Sequence, residues 1–126
     1  KPWIPAVLKV GMTEADLSNK ELGVGGAIIV GAWISQKDNG ALVKLNMSDN
    51  NFYGAEAGKI LGDMLAANTV LKELDLSKCN MQAESTQAFA VGLSTNGALS
   101  LLDLSHNHLG DKGLVAFCDK IAAHQR

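Results

Sequence analysis

Apolar and polar positions along this chain repeat as a unit. The segments MTEADLSNKEL, LVKLNMSDNNF, LKELDLSKCNM and LSLLDLSHNHL begin at Met12, Leu42, Leu71 and Leu99, so the unit returns after 30, 29 and 28 residues. Four columns stay apolar. The first holds Met12, Leu42, Leu71 and Leu99, and the fourth holds Ala15, Leu45, Leu74 and Leu102. The sixth holds Leu17, Met47, Leu76 and Leu104, and the eleventh Leu22, Phe52, Met81 and Leu109. A polar residue stands between the fourth and sixth columns each time: Asp16, Asn46, Asp75, Asp103. Apolar–polar–apolar alternation predicts a short strand with one buried face.

Beyond the eleventh column the period changes. Leu22, Gly26, Val30 and Ile34 are four apart, as are Met81, Ser85, Phe89, Leu93 and Leu109, Gly113, Phe117, Ile121. With one extra loop residue, Ala57, Leu61 and Leu65 complete the series in the second unit. This spacing gives a helix one buried stripe. Small residues near the helix starts (Gly26, Ala57, Gly113) favour close approach to the sheet. Each unit is then strand, turn, helix, turn. Neither element buries its apolar side alone, so successive units stack on a shared core. Strand and helix in alternation call for a parallel sheet with right-handed crossovers.

The pattern LxxLxLxxNxL followed by a helix resembles the ribonuclease-inhibitor class of leucine-rich repeats, over residues 12–126. The resemblance implies an α/β, right-handed leucine-rich-repeat solenoid of about four repeats, with a curved parallel sheet on the concave face and helices on the convex face. It also implies a module for protein–protein recognition. Residues 1–126 form one domain on this reading, with repeats at 12–41, 42–70, 71–98 and 99–126 and an N-terminal arm or cap at 1–11. That arm carries Trp3, Ile4, Val7, Leu8 and two prolines, and is suited to covering the end of a stack. The ninth column, usually Asn or Cys in this class, reads Lys20, Asn50, Cys79, Asn107. Lys20 and Ala15 make the first repeat irregular and edge-like.

A net charge of −2, with eleven scattered Lys and Arg, argues against nucleic acid as the partner. Cys79 and Cys118 fall at different heights in their units, so we expect free thiols and a reducing, cytoplasmic setting. No segment reads as a membrane span, since the longest apolar run, 27–34, is well short of the roughly 20 residues required. The sequon Asn46-Met47-Ser48 falls in a strand and is read as chance. The chain starts at Lys1 rather than Met, and a fragment of a longer protein is the expectation.

Chemistry has few candidates. His106 and His108, with Asp111 nearby, lack a third ordered ligand for zinc. Ser18, Ser48, Ser77 and Ser105 share the seventh column, which marks a turn requirement rather than four nucleophiles. Gly23-Val24-Gly25-Gly26 precedes a helix but lacks the Lys-Ser/Thr ending of a phosphate loop. No catalytic residue, cofactor or metal is assigned. The third and fifth columns instead project into the hollow of the sheet, placing Glu14, Asp16, Lys44, Asn46, Glu73, Asp75, Leu101 and Asp103 on one face. Five carboxylates and one ammonium give that face −4, which favours a protein partner of basic character. Leu101, apolar among polar neighbours, is a contact anchor or the seat of a further repeat. The bare edge of the last strand invites either that repeat or a homodimer. The alternatives are a regulator of a small GTPase or cytoskeletal protein, for which Arg126 is the only arginine, and a structural or dimerisation segment of a longer protein.

Overall fold

A computed structural model describes residues 9, 11–35 and 41–110. The order of elements is β1 (Glu14–Asp16), α1 (Val24–Ile34), β2 (Lys44–Asn46), α2 (Ala55–Ala67), β3 (Glu73–Asp75), α3 (Ala83–Leu93) and β4 (Leu101–Asp103). The strands form one parallel sheet in the order β1-β2-β3-β4. Ala15 faces Leu45, Leu45 faces Leu74 and Leu74 faces Leu102, so the fourth apolar column becomes one row across the sheet.

Three residues make a short strand, but the pairing runs on into the turns. Leu17 N–H donates to Asn46 O at 2.7 Å, Met47 N–H to Asp75 O at 2.9 Å and Leu76 N–H to Asp103 O at 2.8 Å. Two residues later, Asn19, Asp49 and Lys78 donate to Ser48, Ser77 and Ser105, each at 3.0 Å. The chain reverses just there. Asn19, Asp49, Lys78 and His106 all take left-handed φ values, between 52° and 58°. Asn, Asp and His tolerate that region well, and Lys78 is held in it by its N–H bond to Ser105 O of the next repeat.

The ninth column stitches the units together. Asn50 is buried and its side chain donates to Leu17 O (3.0 Å) and Met47 O (2.9 Å), while its Oδ1 accepts from Leu22 N–H (2.9 Å) and Lys20 N–H (3.2 Å). Asn107 repeats this two units along, on Leu76 O (2.8 Å), Cys79 N–H (2.9 Å) and Met81 N–H (2.9 Å). Cys79, in the same column, donates its thiol to Met47 O at 3.1 Å. Buried backbone groups at each strand-to-helix turn thus find partners in the next repeat.

A second asparagine column lies outside the apolar motif. Asn68 Oδ1 accepts from Val70 and Leu71 N–H at 2.8 and 2.7 Å, and Asn96 Oδ1 from Ala98 and Leu99 N–H at 3.0 and 2.8 Å. Asn96 is buried and also donates to Leu65 O (2.7 Å) and Asn68 O (3.0 Å) of the preceding repeat. These contacts close the helix-to-strand turns. The second and third repeats are thus pinned at both ends.

The core lies between sheet and helices. Leu17, Leu45, Met47, Phe52, Leu74, Leu76 and Met81 bury against Val30, Ala57, Leu61, Leu65, Phe89 and Leu93. Ser85 sits on the same stripe, wholly buried; its hydroxyl accepts from Gln82 N–H (2.9 Å) and donates to Gln82 O (3.1 Å), which satisfies it at the start of α3. The glycine run at 23–26 is no free loop: Gly23 caps α1 and Gly25 and Gly26 form its first turn. Close approach is sharpest elsewhere. A methyl group at Gly58 would collide with the Ser85 carbonyl, and one at Gly92 with the Gly62 carbonyl, so α2 and α3 meet backbone to backbone. The fourth helical stripe at 113–121, the arm at 1–8 and Cys118 lie outside the described residues.

Candidate functional site

The face of the sheet away from the helices is a hollow of about 440 Å³. Its walls include all eight residues placed there by alternation: Glu14, Asp16, Lys44, Asn46, Glu73, Asp75, Leu101 and Asp103. Parallel register fixes their arrangement. One row runs Glu14, Lys44, Glu73, Leu101 and the other Asp16, Asn46, Asp75, Asp103. Neighbours within a row stand about 4.8 Å apart across the sheet.

The fifth-column residues have two tasks. Asp16 Oδ1 accepts from both the hydroxyl (2.6 Å) and the backbone N–H (3.0 Å) of Ser18. Asp75 does the same with Ser77 (2.7 and 2.9 Å) and Asp103 with Ser105 (2.7 and 2.9 Å). Asn46 accepts from Ser48 N–H at 2.9 Å. The serine column is therefore a set of turn clips, as its recurrence implied. The clip uses Oδ1 and fixes the carboxylate plane, which leaves Oδ2 outside the clip. Hydrogen bonds from Ser18 hold the Asp16 carboxyl below its ordinary value of 3.8 against a small opposing effect of burial, with Lys20 assisting. Ser105 does the same to Asp103, with a contribution from His106.

The third-column row is partly neutralised. Lys44 Nζ reaches Glu73 Oε1 at 3.9 Å, with both side chains largely in water. With Asn46 uncharged beside it, β2 contributes no net negative charge. Negative charge gathers instead at Asp75 and Asp103 on the adjacent β3 and β4, next to Leu101, which is 58% exposed.

Other candidates fall elsewhere. His106 and His108 are exposed on either side of the half-buried Asn107, and no group of three metal-ligating side chains occurs among the described residues. Cys79 is a free, buried thiol whose pKa burial pushes up to about 11. An open hollow of about 550 Å³ between α1 and α2 is lined by apolar residues such as Ile28, Ile60 and Met64. Among the described residues no helix is long and apolar enough to cross a membrane.

The Leucine Rich repeat family model matches residues 67–90 and 96–118, which cover most of the third repeat and much of the fourth. With the parallel sheet and alternating helices, the match shows a leucine-rich-repeat fold, an α/β solenoid. It is 31% identical over 74 residues to Centrosomal protein of 78 kDa from Xenopus tropicalis, a match covering 59% of this chain and 10% of that protein. It is 28% identical over 92 residues to Protein CARMIL from Dictyostelium discoideum, covering 71% of this chain and 9% of that one. With NACHT, LRR and PYD domains-containing protein 5 from Mus musculus the identity is 34% over 83 residues, 65% of this chain and 7% of that protein. The matched stretch thus spans a tenth or less of these relatives.

Proposed function

We propose that this chain is a non-catalytic protein-interaction module of the ribonuclease-inhibitor-like class, and that its hollow face takes a basic segment of a partner protein. One observation carries the reading: the side chains in the hollow are acidic and pre-oriented, and no described element covers them. Fixing Asp75 and Asp103 through Ser77 and Ser105 reduces the rotamer freedom lost on binding. Their field raises the rate at which a cationic segment arrives, and Leu101 offers an apolar anchor at the same end. A buried free thiol at Cys79 supports a reducing, cytoplasmic setting.

The test is titration with a lysine- and arginine-rich peptide. Asp75→Asn with Asp103→Asn removes charge and keeps the turn acceptor, as Asn46 does naturally. The expected loss is at least about fivefold in affinity, with weakening of the wild type as salt rises from about 50 to 300 mM. Reversal of both to Lys is expected to abolish binding. Affinity indifferent to both variants and to salt removes the hollow face from the mechanism.

A further inference from the structure

The turn after α3 carries an Asn-Gly pair. Asn96 is only 4% exposed, whereas Gly97 beside it is open to solvent. The Asn96 carboxamide uses every donor and acceptor it has. Its Nδ2 donates to Leu65 O (2.7 Å) and Asn68 O (3.0 Å) of the second repeat, and its Oδ1 accepts from Ala98 N–H (3.0 Å) and Leu99 N–H (2.8 Å). The Asn96 backbone N–H donates to Leu93 O at 3.0 Å, at the end of the helix. Asn68 stands in the same column one unit earlier, but Thr69 follows it.

That difference matters to covalent chemistry. The backbone nitrogen after an asparagine can attack the asparagine Cγ and close a five-membered imide. The new N–Cγ bond replaces the Cγ–Nδ2 bond, and the proton of the attacking nitrogen leaves with the amide as ammonia. Water then opens the imide at either carbonyl, giving aspartate or isoaspartate. Glycine brings its nitrogen in with no Cβ beside it, so Asn96-Gly97 offers an unhindered approach, while the branched Thr69 crowds the approach at Asn68. The attack also requires the carboxamide to turn toward Gly97 N. In the folded chain four hydrogen bonds hold it to other partners.

We propose that Asn96 is a deamidation site held shut by docking of the third repeat on the second, with the chain's own Gly97 nitrogen as nucleophile and water as co-reactant. While the repeats are docked, the side chain is fixed and shielded. Local opening of the helix-to-strand turn frees it. The product no longer fits the site. A carboxylate at position 96 has no proton for Leu65 O or Asn68 O, so three acceptors converge in a buried spot and both carbonyls lose that donor. Isoaspartate also inserts a methylene into the main chain of the turn. An opening that reacts is therefore not reversed by refolding, and the turn registers how long the third repeat has stood undocked. This modification is independent of partner binding in the hollow.

Peptide mapping by mass spectrometry tests it on the full chain at mildly alkaline pH, in buffer and in urea above the unfolding midpoint. Conversion at Asn96 is expected to be at least about tenfold slower in buffer than in urea. In urea, Gly97→Ala is expected to slow it by about tenfold, and Asn68 is expected to react far more slowly than Asn96. Asn96→Asp supplies the product side chain directly and is expected to lower the urea midpoint or abolish folding. Equal rates in buffer and urea overturn the proposal, as does an Asn96 that resists conversion in urea. So does undiminished conversion in the Gly97→Ala chain, or an Asn96→Asp midpoint at or above that of the wild type.

Discussion

Asn50 Nδ2 donates to the carbonyl of Leu17, 33 residues earlier, at 3.0 Å. The same side chain accepts from Leu22 N–H, so one amide closes a turn in its neighbour and a turn in its own repeat. Asn50→Ala strands several buried backbone groups at once. The expected loss is about 3 kcal/mol, since each unsatisfied buried group costs roughly 1–3 kcal/mol. Asn50→Asp keeps the acceptor and loses both donors, and is expected to fare little better. Urea denaturation of each variant gives the measurement; a loss below about 1 kcal/mol for Ala contradicts the ladder's role.

The aspartate clips predict an acid limb. Asp16 and Asp103 titrate lower in the folded chain than the ordinary 3.8, so the folded state favours their ionised forms. Their contribution is therefore present above about pH 4 and is lost as the pH falls through that value toward the lower folded pKa. Asp16→Asn with Asp103→Asn is expected to flatten the stability profile between about pH 5 and 2. Asp103→Ala, which also removes the acceptor for Ser105 N–H, is expected to cost about 1 kcal/mol at neutral pH. Equilibrium unfolding across pH compares them.

Two glycines in helices have opposite expectations. Gly92→Ala forces a methyl group into the Gly62 backbone and is expected to destabilise by 2 kcal/mol or more, on the order seen for overpacked interiors. A methyl group at Gly25 in α1 meets nothing within 4 Å, so Gly25→Ala is expected to stabilise by about 0.5–1 kcal/mol through helix propensity. Thermal denaturation of the pair decides it.

Thr86 is wholly buried on α3, and its Oγ1 has no hydrogen-bond partner among the described residues. Thr86→Val keeps the shape and removes the unpaired hydroxyl. The expected gain is about 1 kcal/mol, read from the shift of the urea midpoint.

Burial raises the Cys79 thiol to about 11 and a hydrogen bond ties it to Met47 O, so it presents little thiolate at neutral pH. In a Cys118→Ser background, alkylation at pH 8 is expected to be at least about tenfold slower than for a free thiol and to accelerate only where urea opens the chain. Fast labelling of the folded protein contradicts this.

Much of the arrangement was legible before any coordinates. The fourth column predicted the row Ala15, Leu45, Leu74, Leu102 because a strand period of two leaves one choice of face once the neighbours are fixed. The same rule put all eight hollow residues together. The column Asn68 and Asn96 was missed, although each stands three residues before the first leucine of its unit and Asn39 does so in the sequence. It falls outside the apolar motif, in a stretch that varies in length. The meeting of Gly58 and Gly62 with Ser85 and Gly92 was missed for another reason. Spacing along one helix says which side is small, but not which residue of the next helix lies opposite.

Those glycines also govern something on the other side of the molecule. Strands step by about 4.8 Å, whereas packed helices usually step by 8–10 Å, and that mismatch bends a stack into an arc. Between α2 and α3 the backbones touch, so the outer step is shortened and the arc opens there. The repeats concerned are the ones that bring Lys44 and Asn46 beside Glu73 and Asp75. The radius of the hollow, and with it the spread of its charges, is therefore set from behind by side chains that are missing.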